Sequence, residues 1–442
     1  MKFSLYNLII SDEALPRNKF LLCNTFTGET FLIEERTKEI IVNNDIGALD
    51  ENHVKKFIEA GVLIENDDCD EALIQKYLHE KEKFGSNVLN LTILLTMACN
   101  LRCIYCYEAA GIISSVSLTD TVRKNILEFI KMQLSTKGYN HLAIWLFGGE
   151  PLLNFEDNYL FLDEIQLYCN KNEIEFSTYI VTNGTLLKKS YLEKLKQYNC
   201  QYIQITLDGI KAIHDQRRIG IKGEGSFEET LRGIHLVTAD EDLNNPIIRI
   251  NIDKSNLDET INLLNFLKEE SLECCSIDFG IVKGDTPSCV SYTGNCFLEE
   301  ELGKVLEPLW KKANELGFNI SISPMKRNMF CGLFSDSSFT ITPNGDVYKC
   351  WDFVNIEKHR IGRIGEGGQF TDTTNAYYQW MTRNPYDIKE CRSCVYLPVC
   401  GGGCAGISYS HYGKYNKPGC YKVKSVFEKQ ILNKFKDIID EI

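Results

Sequence analysis

Three cysteines stand close together in Cys99-Asn-Leu-Arg-Cys103-Ile-Tyr-Cys106, directly after the apolar run Val88–Thr96. Three thiolates can hold three irons of a cubane 4Fe-4S cluster and leave the fourth iron without a protein ligand. An iron left open in this way can bind a substrate or a cofactor. Tyr105 puts an aromatic ring inside the triplet, where a cluster-bound cofactor would lie. Zinc is the competing metal. Structural zinc sites use four ligands, usually as two separated pairs, and no fourth Cys or His stands near this triplet.

A second set of cysteines lies in the C-terminal quarter. Cys331 is followed by Gly345 and Cys350, then by Cys391, Cys394, Cys400, Cys404 and Cys420. Pro343-Asn-Gly345 has the composition of a hairpin turn that would bring Cys331 and Cys350 together. Between the two sets come polar segments at predicted strand ends. They are Gly148-Gly149-Glu150-Pro151, Thr182-Asn183-Gly184, Asp208-Gly209 and His214-Asp215-Gln-Arg-Arg218. Glycines allow close backbone approach to a ligand, Glu150 offers a carboxylate to an ammonium, and an arginine suits a carboxylate through its bidentate fork.

These motifs must be positioned by the elements around them. Strands fit Val88–Thr96, Leu142–Phe147, Glu175–Val181, Tyr202–Leu207, Ile247–Ile252 and Ser276–Val282. Helices fit Leu118–Gln133, Asn158–Asn170, Lys188–Tyr198, Ser226–Thr238 and Leu257–Leu267. Such alternation predicts a parallel α/β sheet with crossover helices. The main motifs then fall at C-terminal strand ends, where such folds carry function. One helix is predicted over Leu298–Leu316 and another over Tyr421–Ile442, the latter packed on the barrel.

The C-x3-C-x2-C triplet resembles the radical S-adenosylmethionine (radical SAM) superfamily, and the GGEP, TNG and HDxxR segments resemble that family's motifs. The seven later cysteines and Gly345 resemble the SPASM extension, which carries two auxiliary 4Fe-4S clusters. The resemblance implies a partial (β/α)6 barrel and three 4Fe-4S clusters. It implies that Cys99, Cys103 and Cys106 hold the cluster that cleaves SAM to a 5′-deoxyadenosyl radical. SAM would be contacted by Tyr105, Gly148, Gly149, Glu150, Pro151, Thr182, Asn183, Asp208, Arg218 and Arg249, with Arg217 an alternative to Arg218. Cys391, Cys394, Cys400 and Cys420 would hold the outer auxiliary cluster; Cys331, Cys350 and Cys404 would hold the inner one. Many relatives add a cysteine a few residues before the first inner ligand. Here 323–330 contains none, so either Cys296 or Cys289 reaches the cluster from upstream, or its fourth iron stays open to a substrate thiolate. Asp278 resembles by position an acidic residue used near the substrate. An external electron donor such as a flavodoxin or ferredoxin is also implied.

Residues 1–85 read as strands at Lys19–Cys23, Thr30–Glu34 and Glu39–Val42, a helix at Glu51–Ala60, a short strand at Val62–Glu65 and a charged helix at Glu71–Lys83. That layout resembles the winged-helix peptide-recognition domain of radical SAM peptide maturases and implies that a leader peptide binds there. The expected division is 1–85 recognition domain, 88–297 barrel, 298–330 linker and helix, 331–425 SPASM domain and 426–442 terminal helix.

Composition narrows the partners. The chain has 442 residues and a net charge of −13, which argues against nucleic acid as the main partner. No long apolar run predicts a membrane span, and no basic-then-apolar start marks a secretory signal, so the expected location is cytoplasmic. Eighteen cysteines in a reducing compartment are more readily metal ligands than disulfides. The expected reaction is a thioether bond between a cysteine sulfur and a carbon of a ribosomally made peptide. Alternatives are formylglycine formation as in anaerobic sulfatase maturases, carbon–carbon crosslinking or epimerisation of a peptide, and a non-catalytic iron–sulfur carrier or scaffold. Sulfatase maturases usually begin close to their first cluster, whereas 98 residues precede Cys99 here.

Overall fold

The computed structural model describes residues 1–65, 68–109, 114–284, 289–320 and 325–435. The central sheet has eleven strands. They are β1 (Val88–Thr96), β2 (His141–Gly148), β3 (Glu175–Thr182), β4 (Cys200–Thr206), β5 (Ile247–Ile252), β6 (Ser276–Ile281), β7 (Asn319–Ile320), β8 (Ser338–Ile341), β9 (Asp346–Tyr348), β10 (Gly362–Ile364) and β11 (Phe370–Thr371). Strands β1 to β6 lie side by side in chain order, all parallel, as a partial α/β barrel. Their cores are near-continuous apolar runs because both faces are covered; Leu89, Leu91 and Ile93 of β1 and Leu142, Ile144 and Leu146 of β2 are buried.

The cysteine-rich region extends the same sheet. Strand β8 pairs in parallel with β1, Asn90 against Ser338 through Ile93 against Ile341. A hairpin then carries β9 antiparallel to β8, with Gly345 of Pro343-Asn-Gly345 at φ +79°. Positive φ is what a tight hairpin requires and what glycine supplies without steric cost. The two groups of cysteines are thus hung on one hydrogen-bonded framework.

At the N-terminus three antiparallel strands, Asn7–Ile10, Lys19–Asn24 and Thr30–Glu34, form a separate sheet. Phe20, Leu22 and Ile33 face Phe57 of the helix Glu51–Glu59. The opposite face, Leu8, Ile10, Leu21 and Cys23, packs on Val399, Phe427, Ile431 and Leu432. One expectation fails here. Glu39–Val42 is not a strand but the end of a helix, Glu35–Val42. The β-branched run misleads; the segment caps one end of the sheet, and Lys38 pairs with Glu35 one turn back at 2.9 Å. The strand Asn7–Ile10 was not foreseen.

The helix Glu71–Phe84 buries a polar stripe, Glu71, Gln75, His79 and Lys83, at four-residue spacing. Each finds a partner. His79 Nδ1 meets the Asn328 carbonyl at 2.7 Å, and Lys83 Nζ donates to the carbonyls of Trp380, Met381 and Arg383 at 3.0, 2.8 and 2.9 Å. The C-terminal helix spans Lys424–Lys434, shorter than expected, and residues 436–442 lie outside the described residues. It packs on the helix Leu302–Glu315 and on the N-terminal sheet. Among the described residues no helix is long and apolar enough to cross a membrane.

Candidate active site

A cavity of about 610 Å³ opens at the C-terminal ends of β1 to β6. Its wall includes Cys99, Cys103, Tyr105 and Cys106 from the loop after β1. Gly148, Gly149 and Glu150 follow β2, and Thr182 and Asn183 end β3. Arg218, Arg249 and Asp278 complete the list of sequence-derived residues that reach it.

The paired glycines have a steric cause. A Cβ on Gly149 would lie 2.3 Å from the Ala98 carbonyl oxygen, and one on Gly148 would lie 2.2 Å from that of Thr96. The end of β2 therefore presses directly on the cysteine loop, and Glu150 N donates to Ala98 O at 2.9 Å. That contact sets Glu150 in place. Its carboxylate is 1% exposed and accepts from Thr182 Oγ1 at 2.7 Å, Asn183 N at 2.8 Å and Leu152 N at 3.1 Å. Burial raises its pKa, partly offset by these donors. Among the described residues no cation forms an ion pair with it.

Arg218 reaches the triplet through an element too short to be seen in the sequence. Leu101–Cys103 and Arg218–Gly220 form a two-stranded antiparallel ribbon that sets Arg218 opposite Cys103. Arg218 NH1 donates to the Tyr105 hydroxyl at 2.8 Å, and its buried Nε has no partner. Tyr105 in turn donates to Asp208, and Asn251 Nδ2 approaches its hydroxyl at 3.3 Å. Asp208 is fully buried behind Tyr105 and also accepts from Asn251 N at 2.9 Å. It holds the ring from behind and is not among the residues that line the cavity. Pro151 likewise sits behind the wall, opening the short turn Pro151–Asn154.

The two neighbouring arginines differ in their partners. Arg217 is committed to a buried ion pair with Asp253 at 2.8 Å and to the Asn251 carbonyl at 3.1 Å. Replacing Arg217 with Met strands Asp253 without its cation, and we expect a loss of about 3–5 kcal/mol of stability. A denaturant midpoint equal to that of the wild type would refute this role. His214 is buried against Ser226 at 3.0 Å and serves the loop, not the cavity.

On the far wall Arg249 forms an ion pair with Asp278 and donates Nε to Asn251 Oδ1 at 3.1 Å. Burial raises the Asp278 pKa, but Arg249 and Lys422 outweigh it and hold the carboxyl below its ordinary range. Trp145, Tyr202, Trp351 and Glu108 also line the cavity. The sequence offered no motif for these four, although Trp351 follows Cys350 directly. Trp351 stacks on Phe147 with ring centroids 5.6 Å apart.

Residues 93–267 match the family model of the Radical SAM superfamily. That segment is a Radical SAM domain. It is 26% identical over 363 residues to a cysteine-type anaerobic sulfatase-maturating enzyme of Clostridium novyi, an alignment covering 75% of this chain and 92% of the relative. Among solved structures it is similar to anSMEcpe with bound AdoMet and a peptide (19% identity, TM-score 0.62, 80% of this chain and 99% of that one). It is also similar to SuiB of Streptococcus suis bound to the precursor peptide SuiA (18% identity, TM-score 0.52, 96% and 99%). The protein is a radical SAM enzyme, and its similarity to sulfatase-maturating enzymes is consistent with the SPASM type.

The radical SAM cofactors suit what the cavity leaves unpaired. A buried carboxylate without a cation, Glu150, and a buried donor without an acceptor, Arg218 Nε, match the ammonium and carboxylate of an amino-acid moiety. Burial pushes Cys99 up to about 12 and Cys103 to about 11, so metal must drive their ionisation. In the C-terminal region Cys391, Cys394, Cys400 and Cys420 surround a separate cavity of about 130 Å³, a donor set suited to a cubane. Cys331, Cys350 and Cys404 interact electrostatically with one another and form the second group. Of the two upstream candidates, Cys289 donates to the Tyr105 carbonyl at 3.1 Å, against the first triplet, and Cys296 to Tyr292 O at 3.8 Å. Residues 285–288, and Ser323 and Pro324 before Cys331, lie outside the described residues.

Proposed function

We propose that this radical SAM enzyme matures a ribosomally made peptide by joining a cysteine sulfur to a carbon of an acceptor residue. The observation that carries the reading is the inner group Cys331, Cys350 and Cys404. It brings three cysteines within electrostatic reach of one another, and Trp351, next to Cys350, lines the cavity wall. A cluster held by three cysteines keeps an iron for a substrate thiolate. The cofactors supply, when bound, a radical able to take hydrogen from carbon and centres able to accept the electron released.

The chain's own residues do the rest. Glu150 and Arg218 would fix the amino-acid end of SAM. Tyr105, locked by Asp208 and Arg218, would limit its motion. Trp145 and Tyr202 shield the cavity from water, and Asp278, anionic beside Arg249, would offer a polar anchor to the peptide. The N-terminal unit would hold the leader. Thr30–Glu34 is an outer strand of its sheet, and outer strands accept an added peptide strand. A groove of about 400 Å³ lined by Leu49, Val54 and Ile58, with Glu51, Glu59 and Glu65 outnumbering Lys55, would take an apolar segment flanked by basic residues. An external flavodoxin or ferredoxin would supply electrons, in the cytoplasm.

Formylglycine formation is the second reading, favoured by the similarity to the sulfatase-maturating enzyme. Anaerobic reaction with a cysteine-containing precursor peptide, followed by mass spectrometry and thiol alkylation, separates the two. A thioether removes two hydrogens and the alkylatable thiol while keeping sulfur. Formylglycine replaces sulfur with oxygen and yields an aldehyde, and that product would overturn the thioether reading.

A further inference from the structure

Arg383 is among the largest fully buried side chains of the protein, at 1% exposure. Among the described residues its guanidinium meets no carboxylate. It donates Nε to the Tyr415 carbonyl at 2.8 Å and NH2 to those of Gly402 and Gly403 at 2.5 and 3.4 Å. Phe334 covers it, with the guanidinium carbon 4.9 Å from the ring centroid. NH1 is buried and has no partner among the described residues. An unpaired charge in such a place is costly unless an opposite charge arrives.

Two of the three carbonyls that hold it, those of Gly402 and Gly403, belong to Gly401-Gly402-Gly403, which joins Cys400 of the outer group to Cys404 of the inner one. The backbone there wraps the guanidinium closely. Gly402 sits at φ +93°, and a Cβ on it would lie 2.4 Å from Pro385 and 3.3 Å from Arg383 NH1. Cys391, Cys400 and Cys404, drawn from both groups, are the thiols that act electrostatically on Arg383. Lys83, whose ammonium binds the Arg383 carbonyl, fixes the backbone from the N-terminal helix.

We propose that Arg383 is a positioning residue for electron transfer, a fixed cation between the two auxiliary clusters that donates NH1 toward cluster sulfur and raises the reduction potentials of both. This rests on the assignment of the seven C-terminal cysteines as cluster ligands. Hydrogen bonds to the sulfurs, net charge and solvent exposure set such potentials. A cation stabilises the reduced, more negative state, so its removal moves the potentials down.

The test uses full-length protein carrying Cys99→Ala, Cys103→Ala and Cys106→Ala, so that only auxiliary signals remain. Potentiometric titration followed by electron paramagnetic resonance is run with Arg383, Arg383→Gln and Arg383→Lys. Both auxiliary midpoints should fall in Arg383→Gln and stay near the parent values in Arg383→Lys, with about eight irons retained in each. Unmoved midpoints in Arg383→Gln, or an equal fall in Arg383→Lys, would overturn the proposal. If neither variant loads iron, the parent grown with 15N-arginine and carrying Arg392→Lys, which removes the arginine next to Cys391, decides. A 15N hyperfine signal at the reduced clusters is expected, and its absence overturns the proposal. A parent with no auxiliary iron would instead overturn the ligand assignment.

Discussion

Converting Cys99, Cys103 and Cys106 together to alanine should reduce SAM cleavage to background and remove about four of about twelve irons. The expectation follows from how the triplet is built into the barrel. Its loop leaves β1, is clamped by Gly148 and Gly149 and is paired through Leu101–Cys103 with Arg218–Gly220. Those contacts are made by backbone, so the loop should survive loss of three thiols. Cys331 and Cys350 flank β8 and β9, on the other side of β1 from β2, and the C-terminal cysteines should keep their iron. Measured by 5′-deoxyadenosine release and iron assay, retained cleavage in the triple variant would show that radical chemistry is not generated at this loop. Loss of all iron would show that the sites do not load independently.

Replacing Glu150 with Gln should weaken SAM binding about 10- to 100-fold. A hydrogen bond to a charged group is worth about 1.5–3 kcal/mol, and each 1.4 kcal/mol is about tenfold in affinity. Two effects add. The substitution removes a buried carboxylate that the cavity offers to an ammonium. It also turns an amide NH2 toward Thr182 Oγ1, Asn183 N or Leu152 N, all of which now donate to the carboxylate. Anaerobic equilibrium dialysis of the iron-loaded variant reads the change. An unaltered dissociation constant would remove Glu150 from the ammonium site and leave its burial without a ligand-based reason.

What was readable in advance followed residue chemistry of long repeat or tight spacing. The six barrel strands came from continuous apolar runs such as Val88–Thr96, and the GGEP and cysteine segments from their resemblance to radical SAM and SPASM motifs. What was not readable depends on partners distant in the chain. The stripe Glu71, Gln75, His79 and Lys83 looks like a solvated helix face, yet it is buried because carbonyls near Asn328 and Trp380 receive it. Glu35–Val42 carries strand-forming residues but folds as a helix at the end of a small sheet. The ribbon that delivers Arg218 is three residues long, too short for any periodicity. Asp208 and Arg249 were expected to touch the cofactor. The first holds Tyr105, and the second is on the cavity wall, paired with Asp278. A motif names a residue type at a strand end; only the fold decides whether its charge faces the cavity or a neighbour.

The most direct measurement is a count of iron and sulfide on wild-type protein purified without oxygen, with Mössbauer spectra to identify cluster type. About twelve irons per chain, all in 4Fe-4S form, is the predicted result. About four irons, or zinc in place of iron at the C-terminal cysteines, would contradict the three-cluster account and with it the proposed route for sulfur and electrons.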